Sequence, residues 1–414
     1  MIDIKYSNFD LDTASHKSAI SSAKQAVFKI IDSIENKNPL YKIFACDNAR
    51  YQAESCIPYA KEIKESFSDL IVVGMGGAVL NPQSLLWLVK DSEKSGIKIH
   101  YLHNTDPIFL EELLSKVSLK DCAVLAISNS GKTLETLSLV GVMISEFKKS
   151  GLSTELGKHF YFITNPESGF LKDIAKKISG TIIEHTAGIS GRYSGLTNVT
   201  SLIAQVAGVD VYEYLDGAQL ALDDLYQSRE ESKSALAASC IFDAKKPIMV
   251  NVGYLQRFDH YLEWYSQIIA ESLGKDKKGI TPIRGLGPND QHSMFQLYLD
   301  GVEDKIYSLF YIKDWNNEYT SYKTCNMQEL DYIANKKLQD INTANYEATL
   351  HSLVSKGLPT RNVLLENLSA RSVGYLTAYS MLEVIILGHM IGVNPFDQPG
   401  VESIKKESKG KISL

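Results

Sequence analysis

The sequence predicts an α/β protein in which parallel-rich sheets are flanked by helices, arranged as two such units. Three observations carry that reading. Between residues 69 and 185, short β-branched apolar runs alternate with amphipathic stretches. A second, less regular alternation lies between 246 and 312, and 414 residues exceed what one hydrophobic core usually serves.

In the first unit, strands are read at 69–73, 97–102, 123–127, 159–164 and 181–184. Stretches near 81–91, 107–117, 134–148 and 168–178 are long enough to be crossover helices, and strands separated by helices imply a parallel sheet covered on both faces. In the second unit 246–252 and 307–312 read as strands, with a long helical pattern over 254–273 between them. The ends, roughly 1–65 and 345–414, read as mainly helical. The most apolar stretch, 373–393, contains Glu383 and His389 beside several Tyr and Ser residues, which marks a buried helix rather than a membrane span. No linker composition separates the halves. The boundary is placed near 200, giving an N-terminal segment with the larger domain over 1–200, a second domain over 201–380 and a C-terminal segment over 381–414.

Composition narrows the function classes. With 44% hydrophobic and 22% charged residues the chain can bury a core, and 43 Lys+Arg against 49 Asp+Glu give a net charge of −6. That balance lacks the electrostatic footprint of a nucleic-acid binder, but a small anionic ligand remains compatible with it. Five cysteines, widely spaced and without a CxxC pair, indicate neither a disulfide framework nor a zinc site, and a reducing cytosol is the simplest compartment. The first six residues lack the basic and apolar regions of a secretory signal. The nine His residues do not cluster and no HExxH occurs, so no metal or other cofactor is expected.

The segments with chemical potential lie at the ends of predicted strands. Gly74-Met75-Gly76-Gly77 follows the first strand, where glycines let the backbone approach a ligand and turn into a helix whose N–H groups favour an anion. A dinucleotide fingerprint would need Gly where Val79 stands, and the GKT of residues 131–133 lacks the P-loop glycine because position 126 is Ala. Ser128, Ser130 and Thr133 instead line a hydroxyl-rich loop between a buried strand and a helix. Hydroxyls, backbone N–H groups and a helix N-terminus suit a monoester phosphate, although N-capping would account for one of the three residues. Arg192, in the small-residue segment 188–195 at the proposed boundary, can neutralise an anion. Gln267 and Glu271 are four apart and share one face of an apolar helix, where a carboxylate can serve as a base. His292 stands in a polar cluster with Asp290 as a possible orienter, and Gln398 and Lys405 flank a turn entering a helix.

Taken in order, GMGG, SNSGKTLET, GRYS, ESLGK, DQHS and NPFDQPGVE resemble the successive signatures of the phosphoglucose isomerase family in its compact bacterial form. The resemblance implies two sugar-isomerase-type (SIS) domains, with the C-terminal segment completing the site. It also implies a cytoplasmic homodimer with shared active sites, a sugar-phosphate substrate, no cofactor, and no nucleic-acid or membrane partner. Glu271 would carry the proton between C2 and C1 through a cis-enediol, in glycolysis and gluconeogenesis. His292, from the partner subunit, and Lys405 would assist ring opening, while Arg192 would stabilise the enediolate. Gln267 and Gln398 would position the sugar; Gly76, Gly77, Ser128, Ser130 and Thr133 would hold the phosphate end. Departures from the family pattern are Ala78 for a common Ser, Asn129 for a Lys of the larger enzymes, and GPNDQHS for GTNGQHS. A dual phosphoglucose/phosphomannose isomerase would use the same base if the C2 environment admitted the other epimer. A non-catalytic sugar-phosphate sensor would need the phosphate loop but not Glu271, His292 and Lys405 together.

Overall fold

The computed structural model describes residues 2–90, 96–315, 318–322 and 327–412. Strand β1 (Ile2–Ser7) comes first, followed by helices α1 (Ala14–Glu35) and α2 (Cys46–Ser66). The first sheet is then laid down with its crossovers: β2 (Asp69–Gly74), α3 (Gly77–Leu88), β3 (Lys98–Leu102), α4 (Pro107–Lys116), β4 (Cys122–Ser128), α5 (Leu134–Lys149), the single turn α6 (Leu156–His159), β5 (Phe160–Thr164), α7 (Phe170–Lys177) and β6 (Thr181–Glu184). Helices α8 (Asn198–Val206), α9 (Val211–Ser228) and α10 (Lys233–Ala244) lead to the second sheet. There β7 (Ile248–Gly253), α11 (Phe258–Leu273), β8 (Thr281–Leu286), α12 (Phe295–Asp300), β9 (Lys305–Ile312), α13 (Leu338–Ser355) and β10 (Thr360–Leu365) alternate, and α14 (Ala370–Ile391) and α15 (Glu402–Ile412) follow.

The first sheet has the order β3-β2-β4-β5-β6 and is parallel throughout. Its three inner strands, β2, β4 and β5, are buried along their whole length, which is why they read as unbroken apolar runs. The second sheet has the order β1-β10-β9-β7-β8 and is parallel except for β1, which runs antiparallel to β10 at the edge. In both sheets successive residues point to opposite faces, as the pleat requires. Leu70 and Val72 of β2, and Ile306 and Phe310 of β9, enter one core that also takes in α1, α2, α8, α9, α10, α11 and α14. Ile71 and Val73 face a smaller cluster outside the first sheet, and Val250 and Val252 another outside the second. The two sheets therefore share their main core.

Two expectations change. The ends are largely helical but each contributes a strand, β1 and β10, to the second sheet, and β8 is a further strand there. Helix α3 starts at Gly77 rather than near 81, so the glycine turn leads into it directly. The apolar helix read at 373–393 is α14, buried along nearly all of its length inside the shared core. Glu383 on it is ion-paired with Arg361 of β10, and the guanidinium also donates to Ser308 (3.1 Å), Tyr379 (3.0 Å) and Tyr265 (3.0 Å). Burial is the largest influence and opposes the charge on Arg361, but Glu383 together with Tyr265, Tyr379 and Tyr6 outweighs it and holds the group well above its ordinary value.

Candidate active site

In open parallel sheets, ligands bind beyond the carboxyl ends of the strands where the strand order reverses. Here the reversal lies between β2 and β4, whose register sets Gly74 beside Ile127, with Ser128 beside Thr164 of β5. A cleft of about 860 Å³ opens there, within the usual size of a small-molecule site. Its walls come from the loops after β2, β4, β5 and β6, the C-terminal end of α11, and residues 396–405.

Two helices point their N-termini at this cleft. Gly76 precedes α3 with a φ of +55°, a left-handed conformation that glycine adopts without strain, and a Cβ there would sit 2.9 Å from Gln267 Nε2. Helix α3 has no side-chain cap. Helix α5 has Thr133 at its cap position, yet that hydroxyl lies 3.0 Å from Ser128 Oγ and makes no capping bond. Ser130 Oγ accepts from the Lys132 backbone N–H (3.2 Å). Both helices therefore keep first-turn N–H groups without a side-chain acceptor, the arrangement that favours an anion.

Across the cleft, Gln267 and Glu271 stand one turn apart on α11, and Gln267 Nε2 donates to Glu271 Oε1 at 2.8 Å. Arg192 lies on the 3-10 turn Gly191–Leu196 and is only 1% exposed. Its Nε donates to Ser272 Oγ (2.9 Å), and its Nη1 donates to Glu271 Oε2 (3.2 Å) and to Gln398 Oε1. Its Nη2 donates to the backbone carbonyls of Pro395 (2.7 Å) and Asp397 (2.9 Å). Ser272 also meets the Tyr193 hydroxyl at 2.8 Å, and Trp264 Nε1 donates to the Arg192 carbonyl at 3.0 Å. The segment carrying Gln398 is further pinned by Lys275, which pairs with Asp397 at 2.8 Å and holds that carboxyl below its ordinary range. Lys405 of α15 borders the same cleft.

Gly76, Gly77, Ser128, Ser130, Thr133, Arg192, Gln267, Glu271, Gln398 and Lys405 thus meet at one cavity. His292 does not line it: it is exposed on the 3-10 turn Asn289–His292. Asp290 is not seen to orient it. That carboxylate accepts from the Leu286 backbone N–H (2.8 Å) and the Ser293 hydroxyl (3.2 Å), so it builds the turn. Two further lining residues, Asn165 and His185, belong to no motif. They directly follow β5 and β6, and a search of the positions after each predicted strand would have found them. His185 has Nδ1 3.1 Å from the Thr186 carbonyl, and burial pushes its pKa down, so the imidazole stands neutral near pH 7. Among the described residues no group of three or more His, Cys, Asp or Glu is placed to hold a metal ion.

Residues 59–412 match the family model described as phosphoglucose isomerase. The chain is 30% identical over 376 residues to the glucose-6-phosphate isomerase of Rubrobacter xylanophilus, covering 86% of this chain and 85% of that protein. Among solved structures it is similar to a hypothetical protein from Thermus thermophilus, with a TM-score of 0.89 and 25% identity across the whole of both chains. A glucose-6-phosphate isomerase from Chlamydia trachomatis shares the fold, with a TM-score of 0.74 and 21% identity over 90% of this chain and 74% of that one.

Proposed function

The chain belongs to the phosphoglucose isomerase family, and from that premise we propose how its residues divide the work of interconverting glucose 6-phosphate and fructose 6-phosphate. It is an aldose–ketose isomerase of glycolysis, built on two sugar-isomerase-type α/β units. The observation that carries the division of labour is the single hydrogen-bonded group of Gln267, Glu271, Arg192 and Gln398, facing two uncapped helix N-termini across one cleft.

The phosphate docks at the N-termini of α3 and α5, on the N–H groups after Gly76 and Gly77 and the hydroxyls of Ser128, Ser130 and Thr133. Its binding free energy holds the sugar in register with α11. Glu271 takes the proton from C2. The C–H electron pair becomes the C1–C2 double bond, and the carbonyl pair moves to O1, giving the enediolate. Arg192 neutralises the charge that develops there, in a buried setting where a fixed cation acts strongly. The O2 hydroxyl proton then passes to O1, the C2 carbonyl forms from the freed O2 electron pair, and the C1–C2 double-bond pair takes the proton back from Glu271 at C1. Gln267 and Gln398 hold the base and the guanidinium in place. Lys405 and His292 of the partner subunit move the proton between the ring oxygen and O1 during ring opening. A shared site accounts for an exposed histidine outside its own chain's cleft, so the working unit is a homodimer. The compartment is the cytoplasm, a reading supported by the buried free thiols Cys56, Cys122 and Cys240.

The test is a coupled assay in both directions with glucose 6-phosphate, fructose 6-phosphate and mannose 6-phosphate. The first two are expected to turn over, while turnover of mannose 6-phosphate at a similar rate would establish the dual isomerase instead. Glu271→Gln keeps the hydrogen-bonding shape but removes the base, so kcat is expected to fall about 10²–10⁴-fold with KM little changed. Unaltered turnover in that variant would reject Glu271 as the base.

A further inference from the structure

Asn81 lies in α3, 3% exposed, and belongs to none of the groups assigned above. Its side-chain nitrogen donates to two backbone carbonyls, Gly77 O at 2.6 Å and Gly191 O at 2.9 Å, and lies 3.1 Å from Ser194 Oγ. The Ser194 hydroxyl adds a third donor to the same place, 2.7 Å from Gly191 O and 3.3 Å from Gly77 O. Two carbonyl oxygens converging on one point repel unless donors stand between them, and an amide NH2 supplies two hydrogens.

These bonds join the two halves of the cleft at a close approach of their backbones. A Cβ on Gly77 would fall 2.1 Å from Gly191 O and 2.5 Å from the Arg192 nitrogen. The amide also carries a disadvantage: Asn81 Oδ1 is buried without a hydrogen-bond partner. A buried acceptor left unmade costs free energy that an apolar residue would avoid, so the N–H side of this amide is what the position requires.

We propose that Asn81 is a positioning residue for the isomerisation, clamping the Gly76 and Gly77 turn to the backbone of Gly191 and Arg192 and so fixing the guanidinium where the enediolate charge forms. The inference rests on the role given to Arg192 above. It extends that role to a side chain that touches neither the sugar nor the reacting atoms.

The experiment compares two inhibitors. An aldonate phosphate presents a carboxylate where the enediolate charge develops; a hexitol phosphate has the same phosphate and hydroxyls but no such charge. In Asn81→Ala the aldonate phosphate is expected to bind about tenfold more weakly or worse, and the hexitol phosphate within about twofold of the unaltered protein. The primary isotope effect with C2-deuterated glucose 6-phosphate is expected to rise, because a displaced Arg192 slows proton transfer while binding is kept. A loss of stability alone would move neither quantity. Should Asn81→Ala not fold, Asn81→Ser, whose hydroxyl reaches Gly77 O but is too short to span to Gly191 O, is expected to show the same selective loss. Equal weakening of both inhibitors, or of neither, overturns the inference. If the unaltered protein shows no preference for the aldonate phosphate, the role of Arg192 falls and the inference with it. A preference that survives in the variant removes the inference alone.

Discussion

All the N–H groups of Arg192 have acceptors within the chain: Ser272, Glu271, Gln398 and the carbonyls of Pro395 and Asp397. On the proposed mechanism a sugar oxygen would reach this cation by exchange, taking the place of Glu271 or Gln398 on Nη1, and where Glu271 is displaced its carboxylate would be released from the guanidinium. Residue types at this level were legible in the sequence because each stood in a polar motif beside an apolar helix or strand. His185 and Asn165 were not, since a lone polar residue after a strand has no pattern around it. His389, at the end of α14, makes a separate prediction. Burial, with Lys29 nearby, pushes its pKa down from 6.5 to about 4, and Tyr41 Oη sits 2.7 Å from its Nε2. The unfolded chain binds this proton more readily than the folded one, so the neutral imidazole contributes stability fully above about pH 6.5 that declines toward pH 4. Urea midpoints measured across that window are expected to fall with pH, and more shallowly in His389→Gln.

Helix α5 makes a sharp distinction between capping and binding. Thr133 occupies its cap position without capping it, so removing the hydroxyl loses none of the roughly 1 kcal/mol that a cap contributes. Thr133→Ala is expected to leave the unfolding free energy within about 0.5 kcal/mol, and to raise KM for the sugar phosphate several-fold. A stability loss with unchanged KM would assign the residue to the fold. Helices α9 and α14 meet through reciprocal glycines: a Cβ on Gly217 would lie 1.8 Å from Arg371 O, and one on Gly374 the same distance from Tyr214 O. Gly374→Ala is expected to destabilise by about 1–3 kcal/mol or more in chemical denaturation. Gly141→Ala on α5, with open space at its Cβ, is expected to stabilise by about 0.5–1 kcal/mol. Packing also explains which elements the sequence concealed. The strands β2, β4 and β5 are apolar because both faces are covered. Strand β10 begins Thr360, Arg361, Asn362, buried but polar, and its charge is answered by Glu383 on a helix the periodicity could not connect to it. Strand β1 is a short edge, and β8 carries Pro282 and an exposed Arg284, so neither shows an apolar run.

At the scale of the molecule, the first parallel sheet, its crossovers and nearly all of the cleft could be read from the chain, because strand ends and motifs coincide there, whereas only β7 and β9 of the second sheet could. The shared core could not, since which faces of α11 and α14 meet depends on contacts between distant segments. The proposed dimer is tested by complementation. Glu271→Gln and His292→Ala are each expected to be nearly inactive alone. If each site takes Glu271 from one subunit and His292 from the other, mixed dimers at equal ratio contain one intact site. Unfolding and refolding the two together should then restore roughly a quarter of the activity. No recovery would place both residues in one chain's site. The hold of Arg192 on Pro395 and Asp397, residues 203 and 205 positions away, has a further effect. A copy whose tail has come loose loses the acceptors of its reactive charge together with Gln398. On the proposed mechanism such a molecule is expected to lose activity altogether rather than in part, so the tail would work as a safety interlock on the chemistry.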